Sequence, residues 1–234
     1  MKPKNIPLVR TIEERCKTCY TCVRECPAKA IKIQNGQAMV IEKRCIGCGN
    51  CVKVCSQGAK VYYKSKDAII SLLNSTDHIV AAIAPSFAAE FSEYEDHKII
   101  VGMIKALGFK EVFEVAFGAD IVADRYNKLF SGNKKEHYIS SDCPAIVNYI
   151  EKYYPHLVKH LVPVVSPMIA TARIIKHIYG NDLKIVFIGP CIAKKDESDE
   201  VEEVLTFTEL RSLLAERNIT SANSEPSDFN EPVG

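Results

Sequence analysis

Cys16-Lys17-Thr18-Cys19-Tyr20-Thr21-Cys22-Val23-Arg24-Glu25-Cys26 and Cys45-Ile46-Gly47-Cys48-Gly49-Asn50-Cys51-Val52-Lys53-Val54-Cys55 share one spacing, Cys-x2-Cys-x2-Cys-x3-Cys, and the second run starts 29 residues after the first. Three thiolates at two-residue intervals on a tight turn can reach three corners of one 4Fe-4S cube, with the fourth ligand coming from elsewhere. In tandem runs of this kind the fourth cysteine ligates the other cluster. The expected ligand sets are therefore Cys16, Cys19, Cys22 and Cys55 for one cube, and Cys45, Cys48, Cys51 and Cys26 for the other. Paired CxxC units also build structural zinc sites, and an even cysteine count can form disulfides. Two full-length matches in tandem favour the clusters over zinc. A disulfide framework needs an exported chain, and Met1 to Arg15 holds no apolar stretch long enough for a signal peptide. The second run has Ser56 where the pattern prefers the proline found at Pro27, which alters a turn and leaves the ligand count unchanged.

Between the runs, Ala30 to Ile41 reads as two short strands around Asn35-Gly36, a strong hairpin signal. Ala59 to Tyr63 reads as the matching strand after the second run. The expectation is an α+β ferredoxin-like module of two pseudo-symmetric halves over roughly residues 10 to 64. It is too small to stand on hydrophobic burial alone, so the clusters serve as its core.

The 234 residues leave room for one further domain, and the division expected is 1–66 and 67–234. The hydrophobic share of 47% fits a globular protein, and no apolar run approaches the ~18 residues of a membrane span. Formal charge is uneven, +10 over residues 1–66 and −9 over 67–234. Lysines that offset the charge of two thiolate-bound cubes are the favoured explanation. The alternative is a basic face that docks an acidic redox protein, a ferredoxin-like donor or acceptor, or the acidic domain of the same chain. No basic patch interleaved with aromatics points to nucleic acid. Free thiolates and cluster chemistry place the chain in a reducing cytoplasm.

From His78 the pattern changes. His78 to Ala84 is a buried-strand run ending at Pro85, followed by a helix to Leu107 and a strand over Glu111 to Phe117. Further expectations are a helix over Ala119 to Phe130, a loop at Ser131-Gly132-Asn133, a short strand over His137 to Ser140 and a helix after Pro144. A helix over Pro167 to Tyr179, a strand over Lys184 to Ile188 and a helix over Thr208 to Glu216 complete the chain, with Glu200 to Glu203 as a solvated acidic turn. This alternation predicts an α/β domain with a largely parallel sheet, whose sites lie at the carboxyl ends of strands. Cys143 and Cys191 are expected there, after Ile139 and after Ile188, each beside a proline. His156 and His160 sit four apart without the glutamate of a zinc peptidase and read as helix surface; no nucleotide-binding glycine loop occurs.

Ser140-Ser141-Asp142-Cys143-Pro144 and the residues to Pro155 resemble the first signature of the iron-iron hydrogenases, Thr-Ser-Cys-Cys-Pro-Gly-Trp. Gly189-Pro190-Cys191-Ile192-Ala193-Lys194-Lys195-Asp196-Glu197 resembles their second, Met-Pro-Cys-x-x-Lys-x-x-Glu, and Ala84 to Ser86 and Val115 to Asp120 are further matching stretches. The resemblance spans residues 10 to 234. It implies that Cys143 and Cys191 hold two corners of the cube of an H-cluster, and that Lys194 contacts a diatomic ligand of its di-iron part. The third signature, which supplies two more cysteines, is absent, and no cysteine follows Cys191. The hydrogenase-like domain is therefore expected to be incomplete, with an H-cluster only in a longer chain and no catalytic residue assigned here. Asp142 stands where catalytic members have a proton-relaying cysteine, Gly189 where they have a methionine, and Met168 where a glutamine meets a cyanide. The function expected is a redox or hydrogen-sensing relay coupled to a redox partner or a downstream signalling domain. The alternatives are a catalytic hydrogenase and, ranked last, an iron-sulfur assembly scaffold.

Overall fold

The computed structural model describes residues 6–75, 78–132 and 137–231. Its cysteine-rich half comprises β1 (Val9–Thr11), α1 (Thr21–Arg24), β2 (Ile31–Gln34), β3 (Gln37–Val40), α2 (Asn50–Lys53) and β4 (Lys60–Tyr62). β2 and β3 form the expected antiparallel hairpin. Asn35 and Gly36 at its tip have φ of 51° and 72°, the left-handed pair that matches strand twist. β1 pairs antiparallel with β4, which closes the module end to end.

The duplicated spacing is a duplicated backbone. Left-handed residues occur at equivalent places in the two runs: Thr18 and Gly47, Tyr20 and Gly49, Lys29 and Gly58. Tyr20 and Gly49 each cap a four-residue helix, α1 and α2. The core between these pieces is Cys22, Cys26, Ala28, Ala30, Ile31, Ala38 and Ile46, mostly small side chains.

The second half contains α3 (Lys66–Ser75), β5 (Ile79–Ile83), α4 (Phe87–Glu90), α5 (His97–Ala106), β6 (Glu111–Glu114), α6 (Ala116–Gly132), α7 (Pro144–Tyr153), α8 (Pro167–Tyr179), β7 (Lys184–Gly189), β8 (Glu203–Thr206) and α9 (Phe207–Glu216). The four strands form a parallel sheet in the order β6-β5-β7-β8. Every residue of β5 is buried, as a central parallel strand covered on both faces requires. α8 starts with Pro167 at its first turn, where the missing N–H costs nothing, and α9 starts with a capping box between Thr206 and Glu209.

Four expectations fail here. The strand expected to run to Phe117 stops at Glu114, and α6 begins at Ala116, within the apolar stretch read as strand. Ser131 and Gly132 continue that helix; Asn133 lies outside the described residues. His137 to Ser140 is no strand of the sheet: Ile139 makes a single bridge to Leu161, so Cys143 follows a loop and caps α7. Glu203 belongs to β8 and is 4% exposed, and Tyr63 of the other half donates a hydrogen bond to its Oε1 at 3.3 Å. Charge density in the sequence could not show that tertiary partner.

The two halves are tied by polar contacts. Tyr62 Oη and Thr206 Oγ1 share a hydrogen bond of 2.9 Å. The Ser65 amide donates to Glu209 Oε1 at 2.7 Å, and Lys195 Nζ donates to Ser65 Oγ at 2.6 Å.

Candidate metal centres

Cys16, Cys19, Cys22 and Cys55 border one cavity, whose wall also includes Ala38, Ala59 and Lys60. Burial pushes the Cys22 thiol up, Lys60 opposes that shift, and Cys55, Cys16 and Cys19 reinforce it. The cavity lining brings Cys55, the fourth cysteine of the second run, beside the first three of the first run. Cys16 and Cys19 are instead held below the usual thiol range, Cys16 chiefly by the Ala38 backbone and Cys19 by the Thr21 side chain. The rim at Cys19 and Tyr20 faces solvent; Tyr20 is 49% exposed.

The second set has the mirrored composition. Burial raises both Cys45 and Cys51, Cys51 to about 12, and the thiols acting on them are Cys48 and Cys26 as well as each other for Cys51. The Ala30 amide donates to Cys26 Sγ at 3.2 Å. Among the described residues no three His, Cys, Asp or Glu side chains converge as one metal ion requires. In the first set, four thiols around one cavity suit a cube with separate iron corners better than one zinc, which each sulfur binds at about 2.3 Å.

The runs differ where the second half packs. In the first run the left-handed positions carry the side chains of Thr18 and Tyr20. In the second they are glycine, with φ of 76° at both; a Cβ at Gly49 would lie 2.7 Å from Ile192 Cδ1 of the second half, and one at Gly47 2.9 Å from Leu8 Cδ2 of the first. Ile192 and Ala193 immediately follow Cys191, so the loop around Cys48 is pressed against the loop that carries Cys191. α7, which starts at Cys143, ends on the same set: Lys152 Nζ donates to the Cys45 carbonyl at 2.5 Å, and Tyr153 Oη is 3.0 Å from the Arg44 carbonyl.

Cys143 is exposed and Cys191 half-buried, each at the start of a helical turn. Lys194 joins their loops by donating to the Asp142 carbonyl at 3.1 Å and pairing with Glu197 at 2.6 Å. The Asp142 carboxylate accepts from Tyr126 Oη at 3.0 Å and Ser140 Oγ at 2.9 Å. Met168 is 1% exposed within the core of the sheet domain, and a Cβ at Gly189 would sit 2.7 Å from Phe187 Cε1. His156 and His160 lie on an exposed 3-10 segment, Pro155–His160.

Lys60, Lys152 and Tyr153 were not legible as site residues. Lys60 alone carried a signal: by the 29-residue repeat it occupies the position of Ile31, a lysine where the first copy has an apolar residue.

Residues 77–234 match the family described as iron only hydrogenase large subunit, C-terminal domain, and residues 8–56 match the 4Fe-4S dicluster domain. Iron hydrogenase 1 of Clostridium pasteurianum is 28% identical over 197 residues, 72% of this chain and 34% of that protein. The periplasmic Fe hydrogenase large subunit of Nitratidesulfovibrio vulgaris is 27% identical over 255 aligned positions, 94% of this chain and 60% of that one. The cytosolic Fe-S cluster assembly factor NAR1 of Yarrowia lipolytica is 25% identical over 161 residues, 58% of this chain and 33% of that protein. The chain thus spans between about a third and three fifths of these relatives' lengths. A variant of the FeFe-hydrogenase HydA1 from Chlamydomonas reinhardtii superposes with a TM-score of 0.66 at 23% identity, over 74% of this chain and 52% of that one, a likeness of fold.

Proposed function

The chain belongs to the iron only hydrogenase large-subunit family, and from that premise we propose that this iron-sulfur, hydrogenase-like protein is an electron relay whose second half senses redox state or hydrogen. Its dicluster domain, when loaded, supplies two one-electron carriers. Cys16, Cys19, Cys22 and Cys55 would hold one cube, and Cys45, Cys48, Cys51 and Cys26 the other. The observation that carries the reading is the contact of Gly49 with Ile192, which seats the second set of thiols directly against the Cys191 loop.

The solvent edge at Cys19 is flanked by exposed Lys17 and Arg24. A small acidic redox protein of the ferredoxin type fits that edge, and basic charge speeds its encounter. A reducing cytoplasm is the compartment this chemistry needs; among the described residues no helix is long and apolar enough to cross a membrane. Three features favour sensing over rapid turnover. Asp142 is fixed by two hydroxyls, Met168 is packed into the core, and Phe187 occupies the space a longer side chain at Gly189 would need.

Anaerobic reconstitution tests the reading, with about eight iron and eight sulfide per chain expected from two four-iron clusters. Reduction by a ferredoxin-type donor, followed by stopped flow, is expected to slow as ionic strength rises. After addition of a synthetic di-iron cofactor, no hydrogen evolution from reduced dye is expected, since Cys143 and Cys191 alone cannot hold an H-cluster. Zinc in place of iron would sink the cluster assignment, and fast hydrogen evolution would make the protein an enzyme. The likeness to the NAR1 assembly factor favours a second reading, a cluster scaffold. Transfer of intact clusters from this chain to an apo acceptor would select it.

A further inference from the structure

We propose that Lys60 is a shared electrostatic tuner, whose buried ammonium raises the reduction potentials of both clusters together. This rests on the reading that the eight cysteines hold two cubes. Lys60 lies on β4, opposite Thr11 on β1, and is 2% exposed. Its ammonium donates to Thr11 Oγ1 at 2.6 Å and to the Ala38 carbonyl at 2.5 Å, both neutral acceptors. A buried ammonium held only by neutral groups is costly unless an anion lies nearby.

That anion is supplied by the thiolate sets. Lys60 borders the first cavity beside Cys16, Cys22 and Cys55. β4, which carries Lys60, also packs against α2, the helix that holds Cys51 of the second set. One side chain thus stands between the two sites. The other described lysines and arginines from Arg10 to Lys64 are exposed, so water and salt screen them.

The internal repeat separates tuning from packing. Ile31 stands at the equivalent position of the first copy, 7% exposed, so an apolar residue satisfies the fold there. A lysine in the second copy adds charge that packing does not require. One-electron reduction adds negative charge to a cube, so a fixed cation in a low-dielectric interior stabilises the reduced form more than the oxidised one. Its removal makes both clusters harder to reduce.

The test compares the reconstituted full chain with Lys60→Gln, Lys60→Met and Lys60→Arg, counting iron and sulfide and titrating potential with electron paramagnetic resonance as the readout. Gln removes the charge and keeps two N–H donors for Thr11 and Ala38; Arg keeps the charge. The expected result for Gln and Met is a full iron complement and, at fixed potential, a reduced-to-oxidised ratio lowered at least about tenfold for both clusters, ~59 mV for a one-electron couple. Arg is expected to stay close to the parent. Unchanged potentials in a fully loaded Lys60→Gln, or a shift in one cluster alone, would overturn the inference. Failure of both neutral variants to take up iron while Lys60→Arg loads would overturn it too, since Lys60 would then be structural. Absence of two clusters from the parent protein would instead sink the ligand assignment beneath it.

Discussion

Lys195 Nζ lies 3.0 Å from Glu209 Oε2, with side chains only 0% and 3% exposed. The pair locks the exit of the cysteine-rich half, since Lys195 also donates to Ser65 Oγ and Glu209 accepts from the Ser65 amide. Removing one partner leaves a buried charge without its counterpart, so Lys195→Ala or Glu209→Ala is expected to cost about 3–5 kcal/mol in denaturant unfolding. Replacing both with apolar residues is expected to cost less than the two single changes added together. Burial pulls Lys195 below 10.5, ahead of the opposing effect of Glu209. The unfolded chain therefore binds more protons in the window just below 10.5, this group makes stability rise with pH there, and Lys195→Met is expected to flatten that rise.

The crossed ligand sets make a pairing test. Cys55→Ala is expected to abolish the same cluster signal as Cys16→Ala, and Cys26→Ala the same signal as Cys45→Ala, as read by electron paramagnetic resonance and iron count. If Cys55→Ala behaves like Cys45→Ala, each run supplies its own fourth ligand.

The cysteine spacing made the first half legible down to the hairpin, because it fixes which backbone must fold around which thiols. The parallel sheet was legible where a strand is a continuous apolar run, as in β5 and β7. It failed at β8, where the acidic run Glu200 to Glu203 masked a strand whose Glu203 meets Tyr63, and at Ile139, where one bridge resembled a strand. The contact of the second thiol set with the Cys191 loop was illegible, since only the fold shows Leu8 against Gly47 and Ile192 against Gly49.

Gly49 and Gly36 share a left-handed φ, 76° and 72°, but only Gly49 is enclosed. Gly36→Ala is expected to show the left-handed penalty alone, about 1–2 kcal/mol. Gly49→Ala carries that penalty plus displacement of Ile192, so its melting temperature is expected to fall further. Adding Ile192→Ala to Gly49→Ala is expected to recover part of the excess. Equal effects of the two alanines in thermal unfolding would show that Ile192 yields freely.

Iron removal is expected to unfold one half and spare the other. The largest fully buried side chains, among them Phe113, Ile69, Ile104 and Leu210, all belong to the sheet domain, whereas the core around Cys22 and Cys26 is mostly alanine and cysteine. A core of that size does not offset the conformational entropy of its chain without the clusters. The buried thiols add to the imbalance: burial pushes Cys51 up to about 12, so without iron it takes a proton and loses its bonding role. Hydrogen exchange on the chelated protein is expected to show amides of β1 to β4 exchanging freely while those of β5 and β7 remain protected. The contacts of Tyr153 with the carbonyls of Ala28 and Arg44 then lose their frame, so Tyr149 and Tyr153 should become accessible to chemical labelling. Retained protection in β2 and β3 after complete iron loss would show that the module holds itself together, and loss of protection throughout would show one cooperative unit.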